Sequence, residues 1–202
     1  MRYALSPTGD LITATPGAAG VCRGCGGGLI PKCGGLTAWH WAHLARDCDQ
    51  WAEPDNSWHL DWQSAAPADR VEVTIGPHRA DILTPDGRVV EVQHSPISAA
   101  AIVEREQFYG PMAWIFDARE AFAAERLILY RRPTWAGFRW KHARRSVLAC
   151  SRPVFLDCGG DLLFRVRRIG IDTRGRCTGW GTVGSARDFR VWLAGPAGAV
   201  AA

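Results

Sequence analysis

Between the apolar runs His78–Leu83 and Arg88–Gln93 stands Thr84-Pro85-Asp86-Gly87, a turn that limits what this chain can fold into more than any other stretch. Proline suits an early turn position because its φ is preset, and glycine takes the left-handed conformation at little cost. A three-residue loop of Pro85, Asp86 and Gly87, closed by a glycine bulge, pairs Thr84 with Arg88. Counting outward, Asp81 falls opposite Glu91 and Gln93 opposite Arg79, all on one face. Ala80, Ile82, Val90 and Val92 take the other face and supply core. A two-residue Asp86-Gly87 loop would instead send the two carboxylates to opposite faces.

Carboxylates facing each other across strands repel. A divalent cation held between Asp81 and Glu91 removes the objection. Mg²⁺ prefers carboxylate oxygen, takes few protein ligands and keeps waters, one of which can attack phosphorus. The plainer alternative is a solvated sheet face on which Arg79 neutralises one of the acids.

Around this hairpin the apolar periodicity predicts a helix over 55–64, strands over 71–75, 79–83 and 88–93, a helix over 98–109 and a strand over 113–116, an α-β-β-β-α-β order. With 47% hydrophobic residues in 202, the chain has material for a packed core. Residues 1–50 differ: they are rich in glycine and cysteine and too poor in aliphatics to fold on a core of their own, so a metal staple is the natural substitute. After Glu125 the pattern turns to short β-like runs, with CGGD, from Cys158 to Asp161, as a hairpin turn and a frayed tail. The expected organisation is therefore 1–50, 51–125 and 126–202.

Cys22-x-x-Cys25 followed by His40-x-x-His43 has the ligand types and spacing of a structural Zn²⁺ site. Histidines three apart share one face of a helix. Cys48 offers an alternative, since Cys22, Cys25, His43 and Cys48 make an equally tetrahedral set. A disulfide framework is disfavoured by the compartment, because MRYALSPTGDL puts Pro7 and Asp10 where a signal peptide is apolar, and the chain reads as cytoplasmic with no membrane span.

HRADI, VVEVQHSPIS and IVEREQFYGPMAWIFD, preceded by EPDNSWHLDWQ and WHWAH, resemble the competence protein CoiA-like nucleases of the PD-(D/E)XK superfamily over about residues 20–117. The resemblance implies a restriction-endonuclease-like α/β core, carrying here an N-terminal zinc-binding module and a C-terminal β-rich extension. It also implies Mg²⁺- or Mn²⁺-dependent hydrolysis of single- or double-stranded DNA, in competence and recombination or in defence. By the same resemblance Asp81 and Glu91 are metal ligands, Gln93 stands where the superfamily usually has lysine, Glu53 is the acid opening the first helix, and His59 is the histidine within it. Gln63 occupies a place where lysine is expected. Glutamine carries no charge, so Gln93 can only position water or a phosphate oxygen, whereas His59 can act as base or as phosphate donor.

Trp39, Trp41, Trp51, Trp58 and Trp62 either stack on bases or form core. Arg105 and Tyr109 lie one turn apart on a helix face, and FRWKHARR either tracks a phosphate backbone or is a solvated basic face. The absent lysines leave a second function class open, a non-catalytic zinc-containing nucleic-acid-binding protein.

Overall fold

The structure, a computed structural model, describes residues 1–45, 47–52 and 56–195. It is a mixed α/β structure dominated by strands in two sheets, with few helices. Two compact units divide it: Met1–Gly87 with the chain from Leu193 on, and Arg88–Trp192. The division falls inside the span 51–125.

The first unit opens with strands β1 (Tyr3–Leu5), β2 (Leu11–Thr13), β3 (Gly20–Val21), β4 (Gly28–Lys32) and β5 (His40–His43), an antiparallel sheet in the order β2-β1-β3-β4-β5. The core beneath it is small, as the composition requires: Met1, Ala4, Ala14, Cys22, Leu29 and Trp41. Gly20 lies 2.8 Å, at the position its Cβ would take, from the Ala4 Cβ, so a side chain there would collide with β1. Helix α1 (Ser57–Gln63) follows, capped by the Asn56 side chain, which accepts from the His59 amide at 3.0 Å. Strands β6 (Val71–Ile75) and β7 (His78–Leu83) then form an antiparallel ladder in which Val71 faces Ile82 and Val73 faces Ala80.

Contacts within this unit tie the cysteine-rich sheet to α1 and β6. Glu72, buried and with φ of 52°, accepts from the Arg2 amide at 2.9 Å and the Tyr3 amide at 3.2 Å. Arg2 donates to Leu60 O at 2.8 Å and Arg23 to Val71 O at 2.7 Å. The turn after β7 has the three-residue form: Gly87 N donates to Thr84 O at 3.0 Å, and Gly87 has φ of 78°.

The second unit contains β8 (Val89–Gln93), α2 (Ala99–Tyr109), β9 (Met112–Asp117), α3 (Arg119–Ala123), β10 (Leu127–Arg131), β11 (Ala136–Trp140), β12 (Val154–Asp157), β13 (Leu162–Ile171), β14 (Cys177–Ser185) and α4 (Ala186–Ala194). Within it the strands run β10-β11-β14-β13-β12-β9-β8. β8 and β9 are parallel, as are β9 and β12, so α2 serves as the crossover that a parallel pair needs. Ser98 caps α2 by accepting from the Ala101 amide, and Gly110, with φ of 66°, ends it.

Along the chain the elements from α1 to β9 keep the predicted α-β-β-β-α-β order, and Gly159 and Gly160 take positive φ in the expected turn between β12 and β13. Two helices, α3 and α4, were not expected from the periodicity; their residues read as short apolar runs among strands. All five residues of β8 are buried, Glu91 at 3% and Gln93 at 1% exposure. The solvated-face alternative therefore fails for Glu91. Trp41, Trp58 and Trp62 are core, whereas Trp39 is exposed. Among the described residues no helix is long and apolar enough to cross a membrane.

Candidate functional site

Cys22 follows β3, and the chain folds back on itself at once: Cys22 N donates to Gly27 O at 2.8 Å and Gly26 N to Cys22 O at 2.9 Å. Gly26 supplies the positive φ of 70° that this reversal needs. The tight knuckle points two backbone amides at sulfur, Gly24 N at Cys22 Sγ and Gly27 N at Cys25 Sγ, each 3.3 Å. His43 ends β5, and Cys48 comes from the segment after it. The ligand atoms of Cys22, Cys25, His43 and Cys48 all lie within 4.8 Å of one another. Cys22 Sγ is 3.8 Å from Cys48 Sγ, and Cys25 Sγ is 3.4 Å from His43 Nε2.

The electrostatics are those of crowded thiols. The Gly27 amide, and after it His43, lowers the Cys25 thiol to about 7. Burial, and then the neighbouring Cys25 and Cys22, pushes Cys48 up to about 12. Crowded thiolates penalise one another, and a soft dication removes the penalty; three thiolates and one imidazole could hold zinc.

His40 is not part of this cluster. Its spacing from His43 aligns the two on a helix, but the residues form strand β5, where positions three apart point to opposite faces. The His40 ring instead meets Ala38 O through Nδ1 at 2.8 Å. The helical reading was wrong because β5 is short and pairs with β4, with Lys32 facing His40 and Leu29 facing His43. Cys33 packs against the small core instead.

Beyond the four candidate ligands, His43 Nδ1 lies 3.4 Å from Asp47 Oδ2, and Asp47 receives the Arg79 guanidinium at 3.3 and 3.4 Å. Burial opposes ionisation of Asp47, but the Asp49 amide, Arg79 and His43 outweigh it and hold its pKa below the usual carboxylate range. Asp49 accepts from the Arg79 amide at 2.7 Å and meets His78 Nδ1 at 2.9 Å, while Trp51 stacks on the His78 ring at 3.2 Å. The two aspartates flanking Cys48 thus grip the start of β7. Neither aspartate stood out in the sequence, because the pairing with β7 spans some thirty residues.

Further along β7, Asp81 Oδ1 lies 3.0 Å from His59 Nε2, with the two side chains 19% and 7% exposed. Gln63, one helical turn on from His59, places its amide nitrogen 3.2 Å from the same ring atom. A ring nitrogen that donates to Asp81 cannot also accept from an amide N–H. Turning the Gln63 amide resolves this and also gives a partner to its Oε1, which among the described residues is buried without one. Two acceptors then share the His59 Nε2–H. A lysine at position 63 would need to bury an ammonium at a site only 1% exposed, which is a physical reason for glutamine there.

In the second unit Glu91 Oε2 receives Arg105 Nη1 at 2.8 Å, with both residues buried. Gln93 donates to Ser95 O at 2.9 Å, and Arg144 reaches the same carbonyl at 3.3 Å. Glu106 accepts from Trp114 Nε1 at 3.0 Å and from the Ser151 and Arg152 amides at 2.9 and 3.1 Å. Asp81 belongs to the first unit, and Glu91 and Gln93 to the second. Glu53 lies outside the described residues. No family model, curated protein or solved structure matches this chain.

Proposed function

We propose that the protein is a metal-dependent nuclease of the PD-(D/E)XK type that hydrolyses DNA phosphodiesters. Asp81 and Glu91 would hold Mg²⁺ or Mn²⁺, and Gln93 would position water or a phosphate oxygen. The observation that carries the reading is the His59–Asp81 contact at 3.0 Å, which joins two residues singled out separately in the sequence. The α-β-β-β-α-β order of elements and the three-residue form of the Thr84–Gly87 turn also support it.

His59 donates through Nε2, so that atom has no lone pair with which to act as a base. Its part is to orient Asp81, with Gln63 fixing the ring from behind. A metal held by carboxylates would stabilise the charge that develops on the non-bridging and leaving oxygens. The Cys22, Cys25, His43 and Cys48 cluster is structural: through Asp47 and Asp49 it steadies β7, the strand that bears Asp81.

The Glu91–Arg105 ion pair favours a second reading, since a carboxylate committed to a guanidinium competes poorly for metal. In that reading the protein binds nucleic acid without cutting it. The test is cleavage of labelled single- and double-stranded DNA with Mg²⁺, Mn²⁺ or no divalent ion, using wild type, Asp81→Asn and Glu91→Gln. Metal-dependent cleavage lost in both variants supports the nuclease. Cleavage retained in Asp81→Asn refutes the site on β7, and cleavage absent from the wild type leaves the binding protein.

A further inference from the structure

From Arg131 to Trp192 the chain carries fourteen arginines and lysines against four aspartates, a surplus that no motif of the nuclease reading uses. Part of it is gathered in one place. A groove of 440 Å³ between β12, β13 and the turn over 147–151 is lined by Arg152, Arg165, Arg167 and Arg168, with Leu148 and Ile169 among its apolar walls and no carboxylate. Among the described residues, the guanidiniums of Arg152, Arg167 and Arg168 have no acidic partner. Like charges left together in this way raise the energy of the empty groove, a cost that an anion would relieve. Burial, and then the charge of Arg167, already lowers the pKa of Arg165.

The backbone is shaped to make this cluster. β13 pairs regularly with β14 up to Val166–Gly181, then resumes at Arg168–Trp180, leaving Arg167 as the additional residue of a β-bulge. A regular strand would send Arg167 and Arg168 to opposite faces; a bulge re-aims one of them, so that both line the same groove. Across the ladder, β14 must come unusually close. A Cβ on Gly179 would lie 1.9 Å from Arg168 O, and one on Gly181 would lie 2.1 Å from Arg165 O. The opposite wall is fixed too, since Glu106 holds the amides of Ser151 and Arg152 and the Ser151 hydroxyl.

We infer that this groove binds the phosphate backbone of a nucleic acid, with Arg152, Arg167 and Arg168 addressing phosphate oxygens and Arg165, whose guanidinium lies over the Phe155 ring at 5.7 Å, adding positive charge at the edge. Residues two apart on a strand are separated by about 6.6 Å, so the guanidiniums are spread along the groove and suit a row of phosphates better than one small anion. The inference rests on the nuclease reading only for the identity of the polyanion.

The test is the salt dependence of binding to a labelled single-stranded oligonucleotide, read by fluorescence anisotropy without divalent ions so that no cleavage occurs. Wild type is compared with Arg167→Gln/Arg168→Gln and, as a charge-matched control on exposed β10 and the residue after it, Arg131→Gln/Arg132→Gln. Thermal melts establish that each variant is folded. Loss of two phosphate contacts should reduce the slope of log K against log salt by about 2 and weaken binding about tenfold or more at 0.1 M salt. The control should lose markedly less. Equal losses in the two variants, or an unchanged slope in the first, overturn the inference. Arginine-dependent binding here, with no cleavage once Mg²⁺ or Mn²⁺ is added, refutes the nuclease and leaves the groove; metal-dependent cleavage with arginine-independent binding does the reverse.

Discussion

Replacing His43 and His40 one at a time by alanine is the sharpest test of the cysteine–histidine cluster, because the two readings of the ligand set part at these residues. Zinc bonded to sulfur at about 2.3 Å in a regular tetrahedron has S···S edges of about 3.8 Å, and with nitrogen at about 2.05 Å its S···N edges are about 3.5 Å. Cys22 to Cys48 measures 3.8 Å and Cys25 to His43 measures 3.4 Å, two opposite edges already at bonded length. The ion therefore fits with shifts of no more than about 1.3 Å along the remaining edges, whose upper limit is 4.8 Å. Elemental analysis should find one zinc per chain, and X-ray absorption should find three sulfurs and one nitrogen around it. His43→Ala should weaken zinc binding by about 100-fold or more, beyond the 10–100-fold typical of losing a group behind a ligand. His40→Ala should leave stoichiometry and affinity unchanged. A first shell of two sulfurs and two nitrogens, or equal losses in the two variants, would refute the assignment.

Four further outcomes are expected. Chelating the zinc should speed amide hydrogen exchange over His78–Asp81, because the aspartates flanking Cys48 hold His78 and Arg79; unchanged exchange there would separate the cluster from β7. Arg105→Ala removes the guanidinium beside a carboxylate only 3% exposed and should cost about 3 kcal/mol in urea denaturation. Glu106→Gln should cost about 2 kcal/mol at neutral pH, since it replaces a charged acceptor of several N–H and O–H groups. Burial opposes ionisation of Glu106, but Ser151 first, and then Trp114 and the Arg152 amide, outweigh it and lower its pKa. That contribution is present above the unfolded pKa of about 4.3 and lost as pH falls through the folded value, so wild type and variant should converge in stability well below pH 4. Gly179→Ala should destabilise by about 3 kcal/mol, since its Cβ would lie only 1.9 Å from Arg168 O; a melting temperature equal to the wild type's would refute the close approach.

What could be read from the sequence was local or periodic. Pro85 and Gly87 fix a turn by their own backbone preferences, and the alternation in β7 and the apolar run in β8 mark strands wherever they pack. CxxC announced a metal knuckle because its geometry needs only the residues between the cysteines. The histidine pair failed as a signal because three-residue spacing has meaning only once the secondary structure is known, and β5 is held as a strand by β4 rather than by its own propensity. The solvated-face reading failed for the same kind of reason: Glu91 resembles a surface acid until Arg105, from a helix fourteen residues later, accounts for its burial.

The arginine groove was illegible for a deeper reason. Arg165 and Arg167 follow the alternation of an ordinary exposed strand, and the adjacent Arg168 does not by itself signal the bulge that brings it to the side of Arg167. The cause lies across the ladder in Gly179 and Gly181, whose missing side chains let β14 approach the Arg168 and Arg165 carbonyls. Two glycines in an otherwise extended run read on their own as weak strand formers. Paired with their partners they become the condition for the cluster, so restoring a side chain at either position should alter the spacing of the guanidiniums as well as the stability of the sheet. A Gly181→Ala variant that stays folded should therefore show a reduced salt slope with every arginine still in place, an effect that net charge alone cannot produce.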